Sequence, residues 1–162
     1  MDFAKAKPDN SIIPKIEQKI KQHKNLFCGV YVKPCYKCAL PKEININGDS
    51  EFPAASLIKI PIAIVLLQKI DKKEIFWNKT LILNRGHYAA GSGILRAKKP
   101  GTKIRLKEVF KLMLTISDNT ATNMIIDLLG GVEKTNNEIL KLNKKLGLKN
   151  TRLVNRLGDF KG

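Results

Sequence analysis

The chain has 162 residues, of which 43% are hydrophobic and 27% are charged, and 30 Lys and Arg against 14 Asp and Glu give a formal net charge of +16. This length suits one domain with a packed core, and the composition excludes wholesale disorder, collagen-like repetition and a multi-span membrane protein. The charge favours anionic partners, but the lysines are spread along the chain without interleaved aromatic residues, so we expect no nucleic-acid partner.

The first residues contain no apolar segment of the kind that a secretory signal needs, so the sequence assigns no compartment. Residues 1–25 are predicted to form an N-terminal segment and a first helix. Ser11 can cap this helix, and isoleucines recur in it at helical spacing: Ile13, Ile16 and Ile20. The domain itself is predicted to span residues 26–162.

A β-hairpin is predicted over residues 26–47. β-branched and aromatic residues from Leu26 to Val32 indicate its first strand, and the alternating residues 43–46 indicate its second. A lone hairpin is marginal in water, so these two strands need further strands or a packed helix. We therefore expect a sheet that is incomplete in this chain.

The hairpin region contains three cysteines within a stretch of eleven residues: Cys28, Cys35 and Cys38. An odd number of cysteines cannot form a closed disulfide framework. Together with His23 they could supply four zinc ligands, and Cys35 and Cys38 could form a disulfide. Reduced cysteines that pack beside a hairpin need neither arrangement. We therefore expect no metal and no cofactor.

A nearly all-apolar helix is predicted over residues 56–70, too hydrophobic around its circumference to lie on a surface. Its apolar run, residues 60–67, is far shorter than the ~20 residues that a membrane-spanning helix needs, so we expect no membrane span. A helical lobe follows over residues 71–147. It begins with an irregular, glycine-bearing stretch and continues with amphipathic helices, the last of which ends at Gly147 in a left-handed C-cap.

Two short polar motifs carry the chemistry. Ser56-Leu57-Ile58-Lys59 opens the apolar helix and places a hydroxyl at a positive helix end, with a lysine one turn away on the same face. A lysine whose pKa is lowered by burial can accept the proton of a serine nucleophile. Ser117-Asp118-Asn119 lies in a polar turn from which side chains could reach a cleft. Ser56 could also be a plain helix N-cap, and so could Asp118 or Ser117.

Together these motifs resemble those of the class A serine β-lactamases and the related penicillin-binding enzymes. Neighbouring segments are also similar to that family, in order, from about Phe27 to Leu153, among them Phe52-Pro53-Ala54-Ala55, Gly91-Ser92-Gly93 and Thr151-Arg152-Leu153. The resemblance implies an α/β (α+β) fold of the β-lactamase/transpeptidase type. In that fold a helical lobe packs on the incomplete antiparallel sheet, and Ser56 lies at the floor of the cleft between them.

The resemblance also implies a role for each motif residue. Ser56 would be the acylated nucleophile, and Lys59 its proton acceptor or a member of its proton network. Ser117 would relay a proton to the leaving nitrogen, Asn119 would hydrogen-bond Lys59 and substrate, and Asp118 would hold the loop in shape. The backbone amide of Ser56 would supply one oxyanion donor. The substrate would be a small β-lactam or a cell-wall peptide, and no cofactor is implied.

The sequence departs from the family's pattern at two places. The third motif, Lys-Thr-Gly, is absent, and Gly101-Thr102-Lys103 runs in the reverse order. An ungapped extension puts Leu157 where many class A enzymes carry a deacylating glutamate, and a leucine cannot activate water; the nearby Asp159 would match only after an unsupported shift. We therefore expect the chain to represent the N-terminal two thirds of the domain, with acylation better supported than hydrolysis of the acyl-enzyme.

Three functions are consistent with these features. The first is a class A β-lactamase-like serine hydrolase, an antibiotic-resistance activity. The second is a penicillin-binding or D-alanyl peptidase-like enzyme, for which a stable penicillin adduct would be the sign. The third is a catalytically incomplete interaction module, which would bind another chain through an exposed apolar face and an anionic partner through its positive charge. Separately, an exposed sheet edge favours self-association of the chain. Enzymes of this family usually work in the periplasm or outside the cell, although the chain shows no signal peptide.

Overall fold

A computed structural model describes residues 12–23, 25–33 and 43–159 of the chain. The chain groups into two compact units, Met1–Phe52 and Pro53–Gly162. The predicted division of the chain after residue 25 stays a prediction. The secondary structure combines helices with small antiparallel sheets, which confirms the predicted α/β class.

The first unit contains a helix and a hairpin. Helix α1 spans Ile12–Gln22 and buries none of its residues, while its predicted cap, Ser11, lies outside the described residues. Strands β1 (Val30–Val32) and β2 (Ile44–Ile46) pair antiparallel within the range predicted for the hairpin. Self-association through this hairpin stays a prediction.

The cysteine alternatives fall mostly outside the described part of the chain. Cys28 is a free, half-buried thiol, whereas Cys35 and Cys38 are not among the described residues. Within residues 12–23, 25–33 and 43–159, no cluster of three or more His, Cys, Asp or Glu could hold a metal ion.

In its described residues, 53–159, the second unit contains four α-helices and a two-stranded ribbon. The helices are α2 (Lys59–Asp71), α3 (Leu106–Thr115), α4 (Asn119–Leu128) and α5 (Val132–Leu146). Strands β3 (Thr80–Ile82) and β4 (Lys103–Arg105) pair antiparallel and were not predicted, because three residues are too few for alternation to be recognised. Gly147 has a φ of 69°, so the predicted left-handed cap of α5 is confirmed.

Helix α2 supplies the centre of the core of this unit. Ile62, Val65 and Leu66 are at most 1% exposed and share one apolar cluster with residues of the other helices, among them Val109, Met113, Ile125 and Ile139. The opposite side of α2 is open, since Ile60 and Leu67 are 53% and 43% exposed. The helix is therefore central, as its composition predicts, but it is not buried on the side of Ile60 and Leu67. None of the helices in the described residues has the length and apolar character to cross a membrane.

Two neighbouring leucines of α2 test this burial. Leu66→Ala should lower the free energy of unfolding by about 3 kcal/mol, because it leaves a cavity at a position with no exposed surface. Leu67→Ala, which removes the same atoms from a half-exposed position, should lower it by less than about 1 kcal/mol. Urea denaturation of both variants measures the difference, and equal losses would contradict the burial described for α2.

Candidate active site

Ser56 lies in a short 3-10 helix, Ala55–Ile58, that runs directly into α2. The helix predicted over residues 56–70 is therefore α-helical only from Lys59 onward. Ala55 has a φ of 45°, a left-handed conformation that costs a residue with a side chain about 1 kcal/mol. The turn leaves Ser56 exposed, while Lys59, one turn later, is only 3% exposed.

The amine of Lys59 brings the two predicted motifs together. Its Nζ donates hydrogen bonds to the Ser117 carbonyl at 2.6 Å, to Ser117 Oγ at 2.7 Å and to Asn119 Oδ1 at 2.8 Å. Ser56 Oγ lies 3.0 Å from Ser117 Oγ and 3.4 Å from Lys59 Nζ. Four of the five predicted site residues thus meet around one nitrogen, although the motifs lie 58 residues apart in sequence.

The surroundings of Lys59 make its amine a better base than an exposed lysine. Burial lowers the pKa of Lys59 from the ordinary lysine value of 10.5, and the carboxylate of Asp118 raises it and offsets part of that effect. A charged amine has three N–H donors, which the three shortest contacts occupy. A neutral amine keeps a lone pair that can accept a hydroxyl proton. The cluster can therefore activate a serine hydroxyl.

Asp118 stabilises the turn that carries Ser117 and Asn119. Its carboxylate is 1% exposed and accepts hydrogen bonds from the backbone N–H groups of Ile94 at 2.7 Å, Leu95 at 2.9 Å and Ala121 at 2.8 Å. The last of these bonds makes Asp118 the N-cap of α4. Ser117, immediately before it, has a φ of 57°, a conformation that this network of buried hydrogen bonds holds in place.

Sequence reasoning missed the residues that hold Asn119 in place. The Asn119 side chain donates from Nδ2 to the Ala90 carbonyl at 2.8 Å, and its backbone N–H donates to the Ser92 carbonyl at 3.0 Å. Gly93 lets this loop approach Asp118, because a Cβ added there would lie 2.2 Å from the Asp118 Cγ. The available signal was the Gly91-Ser92-Gly93 triplet, which marks a close backbone approach without naming its partner.

A cavity of about 410 Å³ adjoins the hydroxyls of Ser56 and Ser117. Its other walls are small or apolar apart from Lys59: Pro53, Ala54, Ala55, Leu57, Ile60, Met113 and Leu114. An apolar cavity with a few convergent polar groups is the usual form of a small-molecule site.

Leu157 lies in the last described segment, which side chains of α4 hold in place. Asn123 Oδ1 accepts from the Leu157 backbone N–H at 2.9 Å, and Asn123 Nδ2 donates to the Leu157 carbonyl at 3.0 Å. Asp127 accepts from His87 Nε2 at 2.8 Å and forms an ion pair with Arg156. The side chain of Leu157 packs against the apolar core, so this position holds a partly buried hydrocarbon.

The chain is similar in sequence to known enzymes. The model of the Beta-lactamase enzyme family matches residues 12–162. Beta-lactamase VEB-1 of Pseudomonas aeruginosa is 28% identical over 133 residues, which are 81% of this chain and 43% of VEB-1. D-alanyl-D-alanine carboxypeptidase DacF of Bacillus subtilis (strain 168) is 29% identical over 117 residues, 70% of this chain and 29% of DacF.

Solved structures show the same relationship. The structure of PBP-A superimposes on this chain with a TM-score of 0.79 at 36% sequence identity. The match covers 96% of this chain and 56% of PBP-A. A mutant of PBP-A, 35% identical with a TM-score of 0.79, was solved as an acyl-enzyme complex with penicillin G; the match covers 97% of this chain and 57% of that chain. The predicted fold type is confirmed. The chain spans about half the length of these solved relatives.

Asp118→Asn tests the network under the site. The amide would present an N–H₂ group to backbone N–H donors, so we expect a loss of about 3 kcal/mol in the free energy of unfolding. Differential scanning calorimetry with urea denaturation measures this loss, and Glu108→Gln, an exposed change of the same chemistry, serves as the control. A variant as stable as the parent would contradict the role assigned to the carboxylate.

Proposed function

The chain belongs to the Beta-lactamase enzyme family, and on that premise we propose that it is a class A-type serine hydrolase that opens β-lactam rings through an acyl-enzyme on Ser56. One observation carries this proposal. The buried amine of Lys59 lies within hydrogen-bonding distance of Ser117 Oγ, which in turn lies 3.0 Å from Ser56 Oγ. This is the arrangement of nucleophile and base that acyl transfer needs.

The distances favour a proton path through Ser117. Ser56 Oγ is 3.4 Å from Lys59 Nζ but only 3.0 Å from Ser117 Oγ, which is 2.7 Å from the same nitrogen. As Ser56 Oγ attacks the lactam carbonyl, its proton passes to Ser117, and the Ser117 proton passes to the neutral amine. When the carbon–nitrogen bond breaks, Ser117 donates a proton to the leaving nitrogen and recovers one from Lys59.

Two further groups would bind the substrate. The backbone amide of Ser56 stands in the first turn of a helix, where N–H groups lack intrahelical partners, and would stabilise the developing oxyanion. Asn119 Nδ2 has two N–H donors, one of which the Ala90 carbonyl occupies. The second would bind a carbonyl in the side chain of the substrate.

The absence of Lys-Thr-Gly from this sequence sets the expected rate. In the family that the chain resembles, the Lys-Thr-Gly motif lies on a strand that supplies the second oxyanion donor. Loss of one such donor costs roughly 10²- to 10³-fold in rate. We therefore expect slow acylation by the 162-residue chain, followed over hours at high penicillin concentration.

A penicillin-binding or D-alanyl peptidase-like enzyme is the second candidate, and Leu157 favours it. The resemblance aligns Leu157 with the deacylating glutamate of many class A enzymes, and its hydrocarbon side chain packs against the core. Such a side chain cannot activate a water molecule for hydrolysis of the acyl-enzyme. The similarity to PBP-A and to DacF supports the same candidate.

The mass of the intact protein after incubation with penicillin G tests both candidates. We expect an adduct of one penicillin per chain, formed over hours because one oxyanion donor is absent, and absent from Ser56→Ala. Release of opened penicillin in molar excess over the protein, with little adduct at any time, would identify a hydrolase, and a stoichiometric adduct that persists would identify a penicillin-binding enzyme. An adduct that Ser56→Ala retains would contradict the assignment of the nucleophile.

The pH dependence of acylation tests Lys59 as the base. Because burial lowers the pKa of Lys59, a larger fraction of its amine is neutral at a given pH than in an exposed lysine. The acylation rate should therefore rise with pH and level off below pH 10.5. The unfolded chain binds the proton more tightly than the folded one, so the free energy of unfolding should also rise with pH between the lowered pKa and 10.5. Lys59→Met should lose both dependences. A profile that rises only above 10.5 would contradict the role.

A further inference from the structure

The positive charge of the second unit is concentrated in one part of it. Residues 75–117 contain nine Lys and Arg against one acidic residue, Glu108, a net charge of +8. Residues 53–74 contain four Lys against two acidic residues, and residues 118–159 contain seven Lys and Arg against five, so each carries +2. The charge of the second unit is therefore unevenly distributed, although lysines occur along the whole chain.

The β3–β4 ribbon displays part of this charge on its exposed face. Its register pairs Thr80 with Arg105 and Ile82 with Lys103, and all four side chains are exposed. The alternate residues point to the core, as the burial of Ile104 shows. Lys103 and Arg105 are two positions apart on one strand, so the ribbon holds them about 7 Å apart on the same face.

The loop that leads into β4 adds further exposed cations on a fixed backbone. The Lys98 carbonyl accepts a hydrogen bond from the Tyr88 hydroxyl at 2.7 Å, and the Lys99 carbonyl accepts one from Thr102 Oγ1 at 2.6 Å. Because the backbone is already ordered, presenting these charges to a partner requires little further loss of backbone entropy.

These cations do not serve the fold. Among the described residues none of Lys98, Lys99, Lys103 and Arg105 forms an ion pair. Arg105 is also the N-cap residue of α3, the end of a helix at which the macrodipole makes positive charge unfavourable. Charged residues that oppose folding and have no ion-pair partner indicate a binding surface.

We propose that the cationic face of the ribbon, formed by Lys103 and Arg105 and preceded in the chain by the exposed Lys98 and Lys99, docks the protein on an anionic phospholipid bilayer. Ile82, 57% exposed, stands across the ribbon from Lys103 and can enter the interfacial layer while the cations contact the headgroups. The docking is independent of the acyl-transfer site and is measured without substrate.

Cosedimentation with vesicles of equimolar phosphatidylglycerol and phosphatidylcholine tests the proposal. Lys103→Gln with Arg105→Gln should lower the partition coefficient roughly 25-fold, and should leave the thermal midpoint unchanged or raised, because a charge unfavourable to α3 is removed. Lys144→Gln with Lys145→Gln removes the same charge from exposed positions in the last turn of α5 and should have little effect. Ile82→Ser should weaken binding severalfold without changing its dependence on salt.

Binding should disappear with pure phosphatidylcholine vesicles and at about 1 M salt, where the Debye length falls to about 3 Å. Equal losses in the two double variants would overturn the proposal, because only net charge would then matter. Binding to soluble polyphosphate without binding to the vesicles would also overturn the proposal, since the partner would then be a linear polyanion. Absence of any binding to the anionic vesicles at low salt would do the same.

Discussion

A buried amine needs acceptors, and this requirement organises the centre of the second unit. Lys59 stands at the start of α2 with almost no exposed surface. Removing its charge from water is tolerable only while the Ser117 carbonyl, Ser117 Oγ and Asn119 Oδ1 accept its hydrogen bonds. The contacts that satisfy the amine thus hold the α3–α4 turn against α2. The same burial lowers the pKa of the amine, so packing and reactivity have one cause.

A second layer of hydrogen bonds keeps those acceptors in position. The carboxylate of Asp118 joins three backbone N–H groups from two segments, and Gly93 permits the close approach. Asn119 is held from its other side by the Ala90 carbonyl. The left-handed conformation of Ser117 persists because its neighbours on both sides are fixed. Ser56, by contrast, stays exposed at the edge of an apolar cavity, where a substrate can reach it.

Much of the fold could be predicted from patterns of apolar residues. The 3.6-residue periodicity indicated the amphipathic helices, the apolar run at residues 60–67 indicated α2, and Gly147 marked the end of α5. The ribbon β3–β4 was not predicted, because strands of three residues are too short to show alternation. The exposed side of α2 was not predicted either, since the composition of a helix shows how apolar it is but not what surrounds it.

The sequence by itself determined the chemical types at the site. A serine three residues before a lysine shares a helix face with it, and the spacing follows from helix geometry alone. Only the tertiary structure decided that Ser117 and Asn119 meet this lysine, because contacts across 58 residues depend on how α2, α3 and α4 pack. It also decided that Ser117 lies nearer than Ser56 to the amine, and that Asn119 rests on the carbonyls of Ala90 and Ser92. Backbone acceptors carry no residue identity, so no sequence pattern can name them.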